Sequence, residues 1–219
     1  MHLKRAPLKN LAASLLLLAL MAGIADGVAA AAEAKAPLVG LLGTAQYSRA
    51  GGPFVPVKKG AVFGAGDVIK TESGSAVDIF FGPLAGTVRL TESTTLVIEK
   101  SVVADERLGA TFELNLSLRD GEILGRVERH GGVSRFQVKV PTGLVAIVEG
   151  QFRMDARGYV VLLDGKAVYV HVSRSSEPVP HTLQAPPAVY FSPVEGVRPA
   201  PTALVREVTY QNRSKLPKG

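Results

Sequence analysis

The sequence contains no cysteine and no tryptophan, and only 6% of its residues are aromatic. Without cysteine the chain has no disulfide framework and no thiol for a lipid anchor. Its five tyrosines are scattered, which predicts no aromatic platform for stacking sugars or bases. Stability must therefore come from an ordinary apolar core, for which 219 residues and a hydrophobic fraction of 47% are sufficient.

Helical periodicity is also almost absent beyond the first 30 residues, and a period of two takes its place. Apolar and polar side chains alternate over residues 112–118, over 136–140 and, less regularly, over 77–81. Further β-branched or apolar runs lie at 94–99 and 158–163. Alternation of this kind is typical of strands with one buried and one solvated face.

Short turn signals separate these runs. Asp120-Gly121 and Asp164-Gly165 each lie between two apolar alternations, and Gly131-Gly132 is a third glycine pair. An Asp-Gly pair in this setting predicts a two-residue hairpin turn, because type I′ turns need positive φ. The sequence therefore predicts an all-β fold, either an antiparallel β-sandwich or a short β-solenoid-like barrel built of hairpins.

The N-terminus has the three parts of a secretory signal peptide. Basic residues precede an apolar run at 11–24, and alanine-rich sequence with small-x-small sites follows it. The apolar run of 14 residues is shorter than the roughly 18 to 20 residues that cross a bilayer. We expect cleavage near residue 30, or as late as 36, and a periplasmic or secreted protein without a stable transmembrane span. Retention of the segment as an anchor is the alternative.

The positive charge lies at the two ends of the chain. Residues 1–30 hold three Lys/Arg and one Asp, residues 195–219 hold five Lys/Arg and two Glu, and the net charge of +6 therefore leaves +1 for residues 31–194. A nearly neutral body is not typical of a nucleic-acid-binding domain, so no nucleic-acid partner is expected. The basic end could add weak attraction to anionic lipid or cell-wall polymer.

Composition divides the mature chain into three segments. Residues 37–173 are predicted to be the all-β domain. Residues 174–202 carry seven prolines, a density that central strands do not tolerate, and are predicted to be a wrapping segment or linker with room for one edge strand. Residues 203–219 are predicted to be a basic flexible tail.

No motif predicts a catalytic, cofactor-binding or metal site. The four histidines form no H-x-H or H-E-x-x-H pattern. Ser73-Gly74-Ser75 lacks the flanking glycines of a nucleophile turn, and the glycine-rich residues 60–67 lack the Lys-Ser/Thr of a P-loop. Four acids fall on apparent polar strand faces, where solvated charges are expected and no acid/base pair is indicated; they are Asp78, Glu113, Glu122 and Glu128.

Five segments in one order resemble the FecR-type periplasmic domain. They span about residues 58–172 and read KKGAVFGAGDVIKTESGSAVDIFF, GTVRLTESTTLVIEK, LSLRDGEILGRVE, FQVKVPTGLVAIVEGQFRM and GYVVLLDGKAVYVHV. The family pattern has G-D-x-I-x-T, a D-G-S turn, L-x-x-G-x-V and T-P followed by R-G-T-x-F. The residues on recurring positions are Gly66, Asp67, Ile69, Thr71, Ser75, Gly121, Gly150 and Phe152.

Three positions depart from that pattern. Val140-Pro141 replaces Thr-Pro, residues 82–86 (GPLAG) replace the D-G-S turn, and Glu149-Gly150-Gln151 replaces Arg-Gly-Thr. We interpret the last stretch as a strand corner or bulge with its polar side chains turned outward. The structural or partner-contact candidates are therefore Gly66, Asp67, Thr71, Gly121, Glu149, Gly150, Gln151 and Phe152.

The resemblance implies an all-β periplasmic module without catalysis or cofactor. Its best-known members are transmembrane transducers that link outer-membrane iron-siderophore receptors to a cytoplasmic sigma factor, whereas this chain looks like a stand-alone exported domain. The leading hypothesis is a non-enzymatic module that binds or scaffolds an envelope protein through a strand edge or loops. A cell-wall or polysaccharide-binding module is the alternative, and a hydrolase with an unrecognised site is a weaker one.

Overall fold

The computed structural model describes residues 32–83, 85–104, 111–128, 134–172 and 177–213. The predicted signal peptide, the Gly131-Gly132 turn and residues 214–219 of the predicted tail lie outside these ranges. Within the described ranges, no helix is long and apolar enough to cross a membrane.

The all-β prediction is confirmed, because strands make up 60% of the described residues and curl into a half-barrel. The first half of the chain forms β1 Ala32–Glu33, β2 Ala36–Leu42, β3 Ala45–Ser48, β4 Val55–Pro56, β5 Val62–Phe63, β6 Val68–Thr71, β7 Ala76–Phe80, β8 Thr87–Leu90 and β9 Thr95–Ala104. The second half forms β10 Thr111–Asp120, β11 Glu122–Val127, β12 Arg135–Val140, β13 Gly143–Asp155, β14 Val160–Leu162, β15 Gly165–His171, β16 Val179–Ala185, β17 Val189–Ser192, β18 Gly196–Pro199 and helix α1 Thr202–Arg213.

The strands form two sheets that share β13. Sheet I has the order β4-β3-β6-β9-β10-β12-β13-β15-β16, with β1 also on β9. Sheet II has the order β2-β7-β8-β11-β13-β14-β17-β18, with β5 on the other side of β2. The first half of β13 belongs to sheet I and its second half to sheet II, so this strand joins the two sheets covalently.

The two Asp-Gly turns are not hairpin turns, and this part of the prediction was wrong. Asp120-Gly121 connects β10, which pairs with β9 and β12, to β11, which pairs with β8 and β13. Asp164-Gly165 connects β14 in sheet II to β15 in sheet I. Both glycines have positive φ, as a tight turn requires. Positive φ at each glycine was therefore predicted correctly, but the type I′ turn was not, because neither Asp120 nor Asp164 has positive φ. Each turn leads the chain across to the other sheet.

One strand pair departs from the predicted antiparallel arrangement. β10 and β12 run parallel, with Leu114 opposite Phe136 and Leu116 opposite Val138. The chain leaves sheet I after β10, forms β11 in sheet II and re-enters sheet I as β12. Because β11 lies between them in the chain, β10 and β12 can pair in the same direction.

A single core fills the space between the sheets. Phe136 of sheet I and Phe152 of sheet II meet edge to face, with ring centroids 5.6 Å apart. Tyr169 of sheet I stacks on Phe191 of sheet II at 4.2 Å. All four side chains are fully buried. The alternating residues of β10 and β12 point into this same core, as their period of two predicts.

Hydrogen bonds to buried hydroxyl groups connect the points at which the chain crosses between the two sheets. The Thr94 backbone N–H donates to Thr71 Oγ1 at 2.9 Å. Thr94 Oγ1 in turn accepts the backbone N–H of Glu122 at 3.0 Å, and the Thr91 N–H donates to the Glu122 carbonyl at 3.0 Å. Three crossings, β6 to β7, β8 to β9 and β10 to β11, are thereby bonded to one another.

The C-terminal segments are part of the fold. The predicted wrapping segment contributes β16, β17 and β18, and the predicted tail contributes α1, all within the same compact unit as the preceding strands. Two prolines of the predicted wrapping segment lie where the sequence predicts. Pro180 lies in β16 and Pro199 in β18, and each of these strands is an outermost strand of its sheet.

Helix α1 covers the outer face of sheet II. Val208 is fully buried against Leu124 and Val161, with Leu204 packed beside it one helical turn earlier. The Arg153 guanidinium donates to Glu207 at 2.9 Å, and Arg89 donates to the Gln211 carbonyl at 2.8 Å. The spacing of Leu204 and Val208 gives the helix a narrow apolar stripe. A stripe of two residues in a polar segment is too weak to predict from sequence.

We expect Thr94→Val to lower the free energy of unfolding by about 1–3 kcal/mol, because it leaves the Glu122 N–H without its acceptor. Urea denaturation followed by circular dichroism measures the change. Thr95→Val is the matched control, since Thr95 is partly exposed on the adjacent strand position, and it should change stability by less than about 0.5 kcal/mol. Equal losses in the two variants would contradict the role given to the crossing.

Candidate functional site

The stretch Glu149-Gly150-Gln151 lies where β13 passes from sheet I to sheet II. The register against β15 shifts between Ile147 and Glu149, so Val148 is a bulged residue. Before the bulge the odd-numbered residues are buried, and after it the even-numbered residues are buried. The extra residue therefore lets one strand face the same core from two sheets.

Gly150 permits this crossing. Its φ of 111° lies in the region that favours glycine. A Cβ atom at this position would overlap the Asp164 carbonyl oxygen. Asp164 also accepts the Gln151 backbone N–H at 2.7 Å. The corner of β13 and the β14–β15 turn are thus held against each other by backbone contact.

The other predicted candidates also lie at structural positions. Asp67 is buried and its carboxylate accepts the Gly64 N–H at 3.0 Å, while the Gly66 N–H donates to the Ile98 carbonyl at 2.7 Å. Thr71 belongs to the hydroxyl network described above, and a Cβ at Gly121 would overlap Thr94. With Phe152 in the core, the eight candidates divide among the β5–β6 turn, the sheet crossings and β13, and they form no common pocket.

Two of the acids predicted to be solvated are not. Asp78 is 8% exposed and forms a two-point ion pair with Arg89 at 2.7 and 2.8 Å. Glu122 pairs with Arg153 at 2.6 Å, and its side chain is 18% exposed. Both lie on the outer face of sheet II, where α1 excludes water from side chains that the alternation places outside. The prediction was wrong because it assumed that this face was open.

The outer face of sheet I beside the corner is apolar, and we call it the β13–β15 face. It consists of Leu144 and Ala146 on β13, which pair with Val170 and Val168 on β15, together with Val148. The first four side chains are partly exposed, and Val148 is 53% exposed. The unbroken apolar run at 144–148 therefore has two causes, since alternate residues fill the core and this outer face. Contiguous apolar surface is a feature that many interaction sites share.

A second feature is a cleft between α1 and sheet II, which we call the tyrosine cleft. Its volume is about 400 Å³, and its lining includes Glu122, Arg157, Tyr159, Tyr190 and Leu204. The two tyrosine rings stack with centroids 5.8 Å apart, and the Arg157 guanidinium lies 5.1 Å from the centre of the Tyr159 ring.

Sequence reasoning missed the tyrosine cleft. Tyr159 and Tyr190 are 31 positions apart in the chain and meet because β14 pairs with β17, with Val161 opposite Tyr190. The wall that α1 supplies comes from residues predicted to be a flexible tail. The available signal was that Tyr159 directly precedes Val160-Val161 and that Tyr190 follows Val189.

We expect Gly150→Val to destabilise the protein by several kcal/mol or to prevent folding, because it adds both a clash and positive-φ strain. Gln151→Ala should change the free energy of unfolding by less than about 0.5 kcal/mol, since the Gln151 contact to Asp164 uses the backbone N–H. Thermal melting of both variants measures the difference. Equal midpoints would show that the corner does not need glycine.

A pH dependence follows from the burial of Glu122. Burial raises the pKa of this carboxyl, so the folded chain holds its proton more tightly than the unfolded chain. The resulting stabilisation is present below the ordinary glutamate pKa of about 4.3 and is lost as the pH rises through the raised value. We expect wild type to lose stability relative to Glu122→Gln over that interval. Urea denaturation of both proteins at several pH values tests this, and an opposite trend would refute it.

Among the described residues, no three His, Asp or Glu side chains group in a way that would hold a metal ion.

Neither a scan against protein-family models nor comparisons with curated proteins and with solved structures find a significant match to this chain.

Proposed function

We propose that this protein is a non-enzymatic, exported FecR-type module that binds a protein partner in the cell envelope through the β13–β15 face. The apolar outer face of a sheet is the observation that carries the proposal. A signal-peptide pattern at residues 1–30 supports export, and the order of the five sequence segments supports the family. A core enclosed between two sheets that share one strand supports the sandwich form of the all-β fold.

The β13–β15 face has an apolar centre and a charged margin. Its centre is aliphatic, with Leu144 opposite Val170 and Ala146 opposite Val168. Lys139 lies beside Leu144 on β12, and Lys166 lies opposite Glu149 on β15. An apolar centre with a charged rim is the usual arrangement of interfaces between soluble partners. A partner surface with an apolar centre and an acidic margin would complement it.

Binding of the partner to a sheet face has more support than binding to a strand edge, which is one of the surfaces that the sequence predicts. Among the outer strands of the two sheets, β4, β16 and β18 each contain a proline, and β1 and β5 have only two residues each. Proline has no backbone N–H to donate to an added strand and is a common means of blocking an edge. A partner that contacts the side chains on the outer face of β13 and β15 does not need a backbone N–H at a strand edge.

The test uses single lysine substitutions in the otherwise unchanged chain. Val148→Lys introduces a charge into the apolar face at an already exposed position, and should reduce capture of the partner from envelope extract about tenfold. Gln46→Lys is the matched control, because Gln46 is exposed on β3 of the same sheet. Capture of one defined protein that is lost only with Val148→Lys supports the proposal. Capture that is unaffected by Val148→Lys overturns it.

A truncation separates protein binding from adhesion by the basic end. Removing residues 214–219 eliminates Lys215 and Lys218 and leaves α1 in place. Capture of the same protein should persist after this truncation. Retention on peptidoglycan alone, lost with the truncation, would favour the cell-wall-binding alternative instead.

A further inference from the structure

We propose that the tyrosine cleft binds saccharide, in particular a short chain of N-acetylated amino sugars. This site is separate from the β13–β15 face, because it lies on the outer side of sheet II under α1, and the proposal does not rest on a protein partner. Its volume of about 400 Å³ lies within the range of small-molecule sites.

The paired tyrosines supply the stacking surface that sugar rings require. Tyr159 and Tyr190 are both partly exposed and both line the cleft. An aromatic ring has a negative face, and the axial C–H groups of a pyranose carry partial positive charge. The two rings stack on each other, inclined by 22°, and both belong to the cleft lining, where the exposed part of each ring is available for such contacts.

Charged side chains beside the rings can hydrogen-bond to sugar hydroxyls. The Arg157 side chain is 80% exposed and uses two of its N–H groups, on Nε and Nη2, to contact Asp155. A guanidinium has five N–H groups, so others remain to donate to a ligand oxygen. Glu122 is held by Arg153 at 2.6 Å through one carboxylate oxygen. A carboxylate can accept from several hydroxyls at once.

Part of the cleft wall is apolar. Pro201, directly before α1, and Leu204, in its first turn, line the cleft together with Val161. A plain polyhydroxyl sugar gains little from this wall, because its hydroxyls would lose water without a new partner. An acetamido group has both a methyl for the wall and a carbonyl oxygen for Arg157. The lining therefore favours N-acetylated sugars over their unsubstituted equivalents.

Charge balance also argues against a strongly anionic ligand. Glu122, Asp155 and Glu207 carry three negative charges around the cleft, and Arg153 and Arg157 carry two positive charges that these acids already contact. A phosphate or polycarboxylate would have to compete with carboxylates for both guanidinium groups. A neutral ligand has no such cost.

The test measures binding of tri-N-acetylchitotriose and of cellotriose to the full chain by calorimetry and by tyrosine fluorescence, which is readable because the chain has no tryptophan. Cellotriose has the same linkage without the acetamido groups and is the matched ligand control. We expect tri-N-acetylchitotriose to bind about tenfold more tightly. Absence of chitotriose binding, or equal affinity for the two sugars, overturns the proposal, as would binding of a proline-rich peptide to the cleft with no sugar binding.

Variants locate the ligand. Tyr190→Leu should weaken chitotriose binding about tenfold, whereas Tyr190→Phe, which keeps the ring, should stay within about twofold. Tyr210→Leu is the matched control, because Tyr210 is 75% exposed on α1 and does not line the cleft. Melting curves confirm that each variant is folded. If Tyr190→Leu binds as wild type does while folded, the cleft is not the site. Capture through the β13–β15 face should be unchanged in all three variants.

Discussion

The close backbone approach of Gly150 to Asp164 is the constraint on which the rest of the structure depends. At this point β13 leaves sheet I for sheet II, and the β14–β15 turn passes directly against it. The bulge at Val148 shifts the alternation by one residue, so that Val145 and Phe152 enter the same core from different sheets. Without the shift, one half of β13 would present its apolar side chains to solvent.

The two sheets then acquire different outer faces. Helix α1 closes the outer face of sheet II, which buries the Asp78–Arg89 pair and raises the pKa of Glu122 by burial. The outer face of sheet I beside β13 is open and apolar. The proposed protein contact and the proposed sugar site therefore lie on separate surfaces of one core, and substitutions can address each without the other.

The extent to which the sequence was informative differs between elements. The alternation in β10 and β12 predicted both the strands and their buried residues, because a period of two depends only on local geometry. The Asp-Gly pairs correctly predicted positive φ at the glycines, because that is a local requirement. They did not predict the turn type or the strand partners, because the pairing of β10 with β12 is decided outside the turn. The proline-rich segment was predicted as a wrapping segment or linker with room for one edge strand, because proline density reports the edge position of β16 and β18 and says nothing of what they pair with.

The sequence by itself determined the all-β class, the apolar core residues and the need for glycine at the corner of β13, since each follows from side-chain period or backbone sterics within a few residues. Only the tertiary structure decided which strands are neighbours, which sheet face α1 covers, and that Tyr159 meets Tyr190. These depend on contacts between residues far apart in the chain, whose free energy comes from burial and from satisfying backbone hydrogen bonds in the whole fold. Both proposed binding surfaces belong to this second group.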